Sequence, residues 1–357
     1  MYLYLRKNIF YIITMENIIN FLKKLRKKNA ITKRYFSKYA FVGIGNHSLN
    51  NLYPVLDYLN VNLKYIVTKS ENTANTINNN YENIVATSNF DDVLNDNEIN
   101  GIFICSNPKT HFDLLKKSLS ANKHVFVEKP PCSNIEELNE LITVEKSANK
   151  TVVVGFQKRY SECSKILQNK LSDNSIISYN YNFYTGAYPE GDCYTDLFIH
   201  PVDFLCFMFG NPDVVSVMKN QKAKGQESIF LHLKHNNICG NIEISTQYSW
   251  NQAHEQLTIN TDNGVYLLEN HNLLTFNSKP KTILSIPKEK IFNTIPTQKT
   301  LFNGNNFLPV FANNQLVSQG YFNEIKTFLD IAENKKAKNL SGLNSILNTY
   351  KLMDTIL

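Results

Sequence analysis

This chain of 357 residues lacks several features that mark whole classes of protein. None of its six cysteines form a Cys-x-x-Cys pair, which argues against structural zinc and favours a reduced, cytoplasmic protein. No apolar run approaches the ~20 residues needed to span a bilayer. The apolar segment at residues 9–13 lacks the small-residue cleavage site of a secretory signal. We therefore expect a cytoplasmic protein without a bound metal.

Basic charge is in excess only at the start of the chain. Residues 1–40 hold ten Lys or Arg and one acid, Glu16, although the formal charge of the whole chain is +6. The remaining residues hold 27 basic and 30 acidic side chains. Since nucleic-acid grooves need clustered basic residues, we expect no nucleic-acid partner.

Residues 1–38 are predicted to be a basic N-terminal extension. From Asn17 to Lys28, apolar residues fall on one helical face and lysines or Arg26 occupy much of the rest. Such a helix can make weak contact with an anionic membrane surface. Alternatively, it packs on its own domain or on a neighbouring subunit, and we favour this second explanation.

Predicted strands and helices alternate from residue 39 to residue 156, which is typical of a doubly wound parallel sheet. The first strand runs into Gly43-Ile44-Gly45-Asn46-His47-Ser48, a G-x-G-x-x-S variant of the dinucleotide fingerprint. The first glycine allows the tight turn, and the second lets the backbone approach a pyrophosphate at a helix N-terminus. Ser48 departs from the usual Gly or Ala. The pattern predicts a cofactor site that includes Gly43, Gly45, Asn46, His47 and Ser48.

The end of the second predicted strand bears on the choice of cofactor. NAD sites usually place an acid there, about 20 residues after the glycine turn, to bind the ribose 2′-hydroxyl. Here Val67 is followed by Thr68-Lys69-Ser70, and no carboxylate appears until Glu71. A lysine between two hydroxyls suits a 2′-phosphate, which favours NADP. Alternatively, Lys69 is a solvated loop residue and Glu71 reaches the ribose of NAD.

A later strand ends in a distinctive charged group. Lys123-His124-Val125-Phe126-Val127 is followed by Glu128-Lys129-Pro130-Pro131. Ligands of open parallel sheets bind outside the carboxyl ends of the strands, so we expect Lys129 to lie in that crevice. Alternatively, Glu128 and Lys129 are a solvated strand end.

The pattern changes after residue 156. Several strands are joined by short turns, including the hairpin signal Asp262-Asn263-Gly264. Adjacent strands joined in this way predict an open, mainly antiparallel sheet. Residues 279–318 are predicted to be irregular, and two helices, about 321–333 and 343–357, close the chain. We therefore predict a Rossmann domain at residues 39–156 and an α+β domain at residues 157–357.

Together these motifs resemble the Gfo/Idh/MocA oxidoreductases over about residues 39–250. The matching stretches are Gly43–Gly45, Ser106-Asn107-Pro108 with His111, Lys123–Pro130, Gly155–Tyr160 and Asp196–Asp203. The resemblance implies NAD or NADP in the first domain and an open sheet, often used for homo-oligomerisation, in the second. It adds to the cofactor site Ser106, Asn107, His111, Glu128, Lys129, Pro130 and Gln157.

The resemblance also implies that Lys129, Asp196 and His200 surround the hydroxyl that is oxidised. A histidine titrates near neutral pH and can remove the hydroxyl proton, while a lysine can stabilise developing alkoxide charge. Asp196 precedes His200 by four residues, so on a helix they share a face, where Asp196 could fix the imidazole tautomer or contact a substrate hydroxyl. Arg159 and Tyr160 are candidate substrate residues, or else packing residues.

The expected activity is hydride transfer between a nicotinamide cofactor and a hydroxyl or keto group. The resemblance implies a sugar, polyol or sugar nucleotide as substrate. Two alternatives remain at this point: a catalytically inactive nucleotide-binding regulator, or a cofactor-assisted non-redox enzyme such as a hydrolase or epimerase.

Overall fold

The computed structural model describes residues 17–21, 23–24, 34–172, 174–292, 297–304 and 314–357. Residues 17–21 and 23–24 are helical, and the rest of the predicted basic helix lies outside the described residues. Across the described ranges, no helix combines the length and the apolar character that crossing a membrane requires.

The first part of the chain forms a six-stranded parallel sheet in the order β3-β2-β1-β4-β5-β6. Its strands are rich in Val, Ile and Phe because both faces are covered. The order reverses direction beside β1, so β1 and β4 flank the crevice in which dinucleotides bind. The strands are β1 Lys38–Val42, β2 Asn62–Val67, β3 Val85–Thr87, β4 Ile99–Ile104, β5 His124–Glu128 and β6 Val152–Gly155.

Helices cover both faces of this sheet. A π-helical turn at Ser48–Leu52 leads into the first α-helix. The helices of this region are α1 Tyr53–Tyr58, α2 Glu71–Asn80, α3 Asp91–Leu94, α4 His111–Ser120, α5 Ile135–Ala148 and, after a 3₁₀ turn at Gln157–Tyr160, α6 Glu162–Leu171. The helix Glu71–Asn80 has Ser70 as its N-cap.

The second sheet has eight strands in the order β16-β13-β12-β11-β7-β10-β9-β8. Its pairs are antiparallel except β7 with β10, so the predicted mainly antiparallel sheet is confirmed. Its strands are β7 Ile176–Tyr184, β8 Asp213–Ala223, β9 Gln226–His235, β10 Ile238–Ser245, β11 His254–Thr261, β12 Gly264–Glu269, β13 Leu273–Ser278 and β16 Gln298–Asn303. A separate two-stranded ribbon consists of β14 Thr282–Ile283 and β15 Ile286–Pro287.

One helix covers the inner face of the second sheet. A π-helical turn at Tyr194–Phe198 leads into α7, Ile199–Phe209. Its Phe209 ring stacks on Tyr179 of β7, with ring centroids 4.2 Å apart. This packing carries the Asp196–His200 region from the second sheet towards the first.

The end of the chain returns to the first sheet. After α8, Gln315–Ser318, the helix α9, Tyr321–Ala332, places Phe328 against Phe103 of β4, with ring centroids 5.0 Å apart. A 3₁₀ turn at Leu343–Ile346 then leads into α10, Leu347–Ile356. The division at residue 157 stays a prediction, because α9 packs with the Rossmann core although it follows the second sheet in the chain.

The residues just before β1 also join this core. Tyr35 is 0% exposed, and its hydroxyl donates to Asp330 of α9 at 3.0 Å. The backbone N–H groups of Phe36 and Ser37 both donate to Glu333. Removal of residues 1–37 would therefore delete a core side chain, whereas a chain that begins at residue 34 would keep it.

Candidate active site

The glycine turn after β1 has the shape that close backbone approach requires. Gly43 has φ +94°, and a Cβ there would lie 2.6 Å from the backbone oxygen of Cys105. A Cβ on Gly45 would meet no atom within 4 Å, so its backbone faces open space. Ser48 is buried, and its Oγ lies 2.9 Å from both N and O of Gly45. The serine that departs from the fingerprint thus closes the turn, and the turn fits a dinucleotide phosphate at a helix N-terminus.

His47 and Asn46 open the helix that follows this turn. The Nε2 of His47 lies 3.2 Å from Glu128 Oε1, and its Nδ1 lies 3.1 Å from the Asn51 amide. Burial opposes the charged imidazole, but the hydrogen bond and charge of Glu128 outweigh it and raise the pKa of His47. The glycine turn and the Glu-Lys-Pro segment are thereby joined by an ion pair.

The Thr68–Ser70 loop lies at the carboxyl end of β2. The Thr68 hydroxyl is buried and donates to the backbone oxygen of Ser70 at 2.8 Å. Ser70 Oγ accepts from Thr73 N at 3.3 Å as the cap of α2. Lys69 and Glu71 are both exposed. The hydroxyls of Thr68 and Ser70 therefore make hydrogen bonds within the loop, whereas the Lys69 side chain is exposed to solvent.

His111 connects two loops at the carboxyl edge of the parallel sheet. Its Nδ1 lies 2.8 Å from the backbone oxygen of Pro130, and its Nε2 lies 3.0 Å from that of Ser106. Asn107 is exposed and caps the following turn by accepting from Lys109 N. The side chain of His111 thus fixes the predicted cofactor loops relative to each other and is itself buried.

Lys129 projects from the end of β5 towards the second domain. Its Nζ donates to the backbone oxygen of Asp196 at 2.5 Å. Burial lowers the pKa of Lys129, and the charges of Glu128 and Asp196 oppose that shift. Lys129, a predicted catalytic residue, is therefore bound to the segment that carries His200, at a point four residues before His200.

His200 begins α7 and lies within reach of several charges. Burial lowers its pKa well below the usual value, and the charges of Lys129, Lys158 and His47 lower it further. Its ring contacts Phe156 edge-on, with centroids 6.5 Å apart. Within the described part of the chain, its imidazole makes no side-chain hydrogen bond. It is therefore neutral at neutral pH and able to accept a proton.

Asp196 does not hold the His200 imidazole. No hydrogen bond joins the two side chains among the described residues, and the Asp196 carboxylate instead faces the hydroxyl of Tyr188. The physical reason is local: Asp196 lies in a π-helical turn rather than in an α-helix. Wide turns of this kind occur often at functional sites. The backbone oxygen of Asp196 accepts a hydrogen bond from Lys129, and its carboxylate faces the loop that follows β7.

Arg159 and Tyr160 are both buried in the core. Arg159 is 2% exposed and forms a two-pronged ion pair with Asp203, at 2.8 and 2.6 Å. The hydroxyl of Tyr160 lies 3.0 Å from Ser341 Oγ. Of the two roles that the sequence left open for these residues, substrate contact and packing, we therefore propose packing. The amide of Gln157 donates to the hydroxyl of Tyr321 at 3.4 Å.

Two groups near the site escaped sequence reasoning. Lys158 Nζ donates to Glu255 at 2.6 Å, and both are buried, beside His200. Glu324 of α9 is fully buried beside Glu128, and neither of its carboxylate oxygens has a hydrogen-bond partner among the described residues. Burial, reinforced by the Glu128 charge, raises its pKa well above the usual value. Glu255 and Glu324 lie far along the chain, and no local pattern marks them.

The chain is similar to known proteins at two levels. Residues 37–156 match the family model described as "Oxidoreductase family, NAD-binding Rossmann fold". The uncharacterized oxidoreductase YhhX of Escherichia coli is 29% identical over 147 residues, which are 38% of this chain and 43% of that protein. The myo-inositol 2-dehydrogenase of Thermotoga maritima is 25% identical over 33% of this chain and 39% of its own. The chain thus matches about two fifths of the length of these curated relatives.

The likeness in fold extends further than the likeness in sequence. The crystal structure of a dehydrogenase from Chromobacterium violaceum superposes with a TM-score of 0.76. It covers 90% of this chain and 94% of that one at 16% identity. At this identity the likeness shows the fold alone: a Rossmann domain followed by a domain with an open sheet.

Proposed function

We propose that this protein is a nicotinamide-dependent dehydrogenase or reductase acting on a CH–OH group, because residues 37–156 match the Gfo/Idh/MocA oxidoreductase family model. One observation carries the proposal: Lys129 from the parallel sheet and His200 from the second domain converge, with the Lys129 Nζ bound to the backbone oxygen of Asp196. Lys129 is 67 positions from Asp196 in sequence and comes from the first domain, whereas Asp196 and His200 come from the second.

The side chains suit removal of a proton from an alcohol. The nicotinamide cofactor, when bound, supplies the hydride acceptor. Neutral His200 accepts the hydroxyl proton, and Lys129 orients the oxygen and stabilises its developing negative charge. Burial keeps water away, which strengthens both interactions. The turn at Gly43–Ser48 and the loops joined by His111 would hold the cofactor.

We infer the substrate class from similarity. The Thermotoga maritima relative is by name a myo-inositol dehydrogenase, and we extend that class here to a sugar, polyol or sugar nucleotide. Purified protein is mixed with each oxidised cofactor and a panel of these compounds, and absorbance is followed at the reduced nicotinamide band. We expect reduction by at least one compound. Tightly bound cofactor with no net turnover across the panel would point instead to a non-redox enzyme.

Variants of the proposed catalytic residues distinguish turnover by this protein from turnover by a contaminating enzyme. Lys129→Ala and His200→Ala should each lower turnover by roughly two or more orders of magnitude. Lys117→Ala changes an exposed lysine on α4 and should leave turnover unchanged. Near-normal turnover in His200→Ala would remove His200 from the base role.

We further propose a preference for NADP over NAD. No carboxylate lies between Val67 and Ser70 to repel a 2′-phosphate, Lys69 is exposed there, and α2 begins at the same loop with its positive dipole end. Binding of both oxidised cofactors is titrated to the protein and to Lys69→Ala. We expect Lys69→Ala to lose affinity for NADP and to keep its affinity for NAD. Tighter NAD binding that is indifferent to Lys69→Ala would overturn the preference.

A further inference from the structure

An aromatic ledge lies on the loops that follow β7 and β10. These two strands are parallel neighbours, so their carboxyl ends leave the sheet side by side. Hydrogen bonds continue past the strands, from Thr185 N to Ser245 O at 2.8 Å and from Tyr248 N to Thr185 O at 3.0 Å. The loops at residues 185–193 and 246–253 are thereby tied together, and the first leads directly to Asp196.

Trp250, the single tryptophan of the chain, is fixed on this ledge although it is 51% exposed. Its indole N–H donates to the backbone oxygen of Ala187 at 2.9 Å. Its ring lies so close to Gly186 that a Cβ there would come within 2.2 Å of Cδ1. Since one side is anchored and about half of the side chain stays open, the indole is a pre-ordered apolar surface.

Tyr188 connects Trp250 to the catalytic residues. The two rings meet edge-on with centroids 6.1 Å apart, and the Tyr188 hydroxyl faces the Asp196 carboxylate. Gly191 makes room for this contact, because a Cβ there would lie 2.2 Å from the Tyr188 ring and 2.8 Å from Asp196 Oδ2. Asp196 in turn binds Lys129 through its backbone oxygen. The ledge is therefore continuous with the site.

We propose that Trp250 and Tyr188 form a stacking subsite for the apolar face of a polyhydroxylated ring, with the Asp196 carboxylate binding ring hydroxyls. The ledge offers what such a ring presents: flat C–H surface for the aromatics and hydroxyls for a carboxylate. This inference deepens the proposed function and rests on it for the substrate, since a linear polyol has no flat face to stack. It selects sugars and cyclitols over acyclic polyols.

The single tryptophan gives a direct test that needs no turnover. Trp250 emission is recorded, with and without oxidised cofactor, while myo-inositol, D-glucose, sorbitol or uridine is added. A saturable change with myo-inositol or D-glucose but not with sorbitol is expected. A change with uridine alone would replace the sugar by a nucleoside base. Emission that depends on protein concentration without ligand would assign the ledge to contact between copies.

Variants complete the test for whichever ring compound is turned over. Trp250→Ala should raise KM roughly three- to tenfold while kcat changes little, the scale of one aromatic contact. Trp250→Phe should recover most of the loss, and thermal melts verify that both variants fold. Tyr81→Ala is the matched control. Tyr81 is an aromatic residue of similar exposure at the end of α2 in the first domain, and its replacement should leave KM unchanged.

The outcomes separate this proposal from the proposed function. Suppose that Trp250→Ala turns over a ring substrate with an unchanged KM, and that Trp250 emission of the parent protein does not respond to the ring compounds. These results would refute the stacking subsite without contradicting the proposed dehydrogenase activity. A saturable Trp250 response without any redox turnover would support the subsite and count against the dehydrogenase.

Discussion

Glu324 should make the stability of this protein fall as pH rises. Its carboxyl group is fully buried on α9 without a hydrogen-bond partner among the described residues. Burial and the neighbouring charge of Glu128 raise its pKa in the folded state well above 4.5. In the unfolded chain it titrates near that ordinary value, so between the two pKa values the folded state binds more protons than the unfolded state.

The sign and the size follow from proton linkage. A group that holds more protons when folded contributes stability that is present below its unfolded pKa and is lost as pH rises towards its folded pKa. The loss is up to about 1.4 kcal/mol for each pH unit in that window. Glu324→Gln removes the titration. From about pH 6 to about pH 8, the variant should therefore gain up to about 2.7 kcal/mol relative to the parent.

Urea unfolding followed by circular dichroism at several pH values measures this difference. The glutamine is itself buried without a partner, but that penalty is the same at every pH and does not affect the slope. Glu82→Gln, which removes an exposed acid, is the control and should follow the parent. Parallel stability curves for the parent and Glu324→Gln between pH 5 and 8 would refute the reasoning.

Three further predictions concern the site, the core and the extension. If His200 is the base, kcat/KM should fall at acidic pH only below about 6.5, the usual histidine pKa, because its lowered pKa keeps it neutral to lower pH; a limb above 6.5 would exclude it. Arg159→Met should lower the free energy of unfolding by about 3–5 kcal/mol, since Asp203 is left buried and unpaired; a loss below 1 kcal/mol would contradict this. If the extension contacts a membrane surface rather than its own domain, removal of residues 1–33 should preserve the melting temperature and abolish any binding to anionic vesicles, to which each basic residue near the surface adds about 1 kcal/mol. Removal of residues 1–37 should also destabilise the core.

Local patterns were sufficient to predict most strands of the Rossmann sheet. These strands are continuous apolar runs, and a glycine turn follows the first, but the three-residue strand β3, Val85–Thr87, was not predicted. The edge strands β8 and β16 were missed, β16 within the region predicted to be irregular. Their faces are largely exposed, so Asp213–Ala223 and Gln298–Asn303 carry little apolar alternation. Strand pairing across the sheet, rather than local composition, determines their conformation.

The candidate site shows the same limit. Lys129 and His200 belong to short motifs that resemblance could identify, but Glu255 acts on His200, and Glu324 on Glu128, only in the folded chain. The position of α9 illustrates why: it follows the second sheet in sequence, yet its Phe328 completes the core of the first. For Arg159 the sequence left substrate contact and packing open, because its ion pair with Asp203 depends on a residue 44 positions later.

The charges around His200 explain how a buried imidazole can serve between two lysines. Lys129 and Lys158 both lower the pKa of His200. If neither lysine had a nearby acid, their charges would make protonation of the imidazole very unfavourable in a buried site. Each lysine, however, has an acid nearby. Glu128 acts on Lys129, and Glu255 binds Lys158 at 2.6 Å, where the lysine and His271 hold the pKa of Glu255 below its usual value despite burial. His200 therefore sits between two compensated charges, so that it is neutral before the reaction yet able to take up a proton during it.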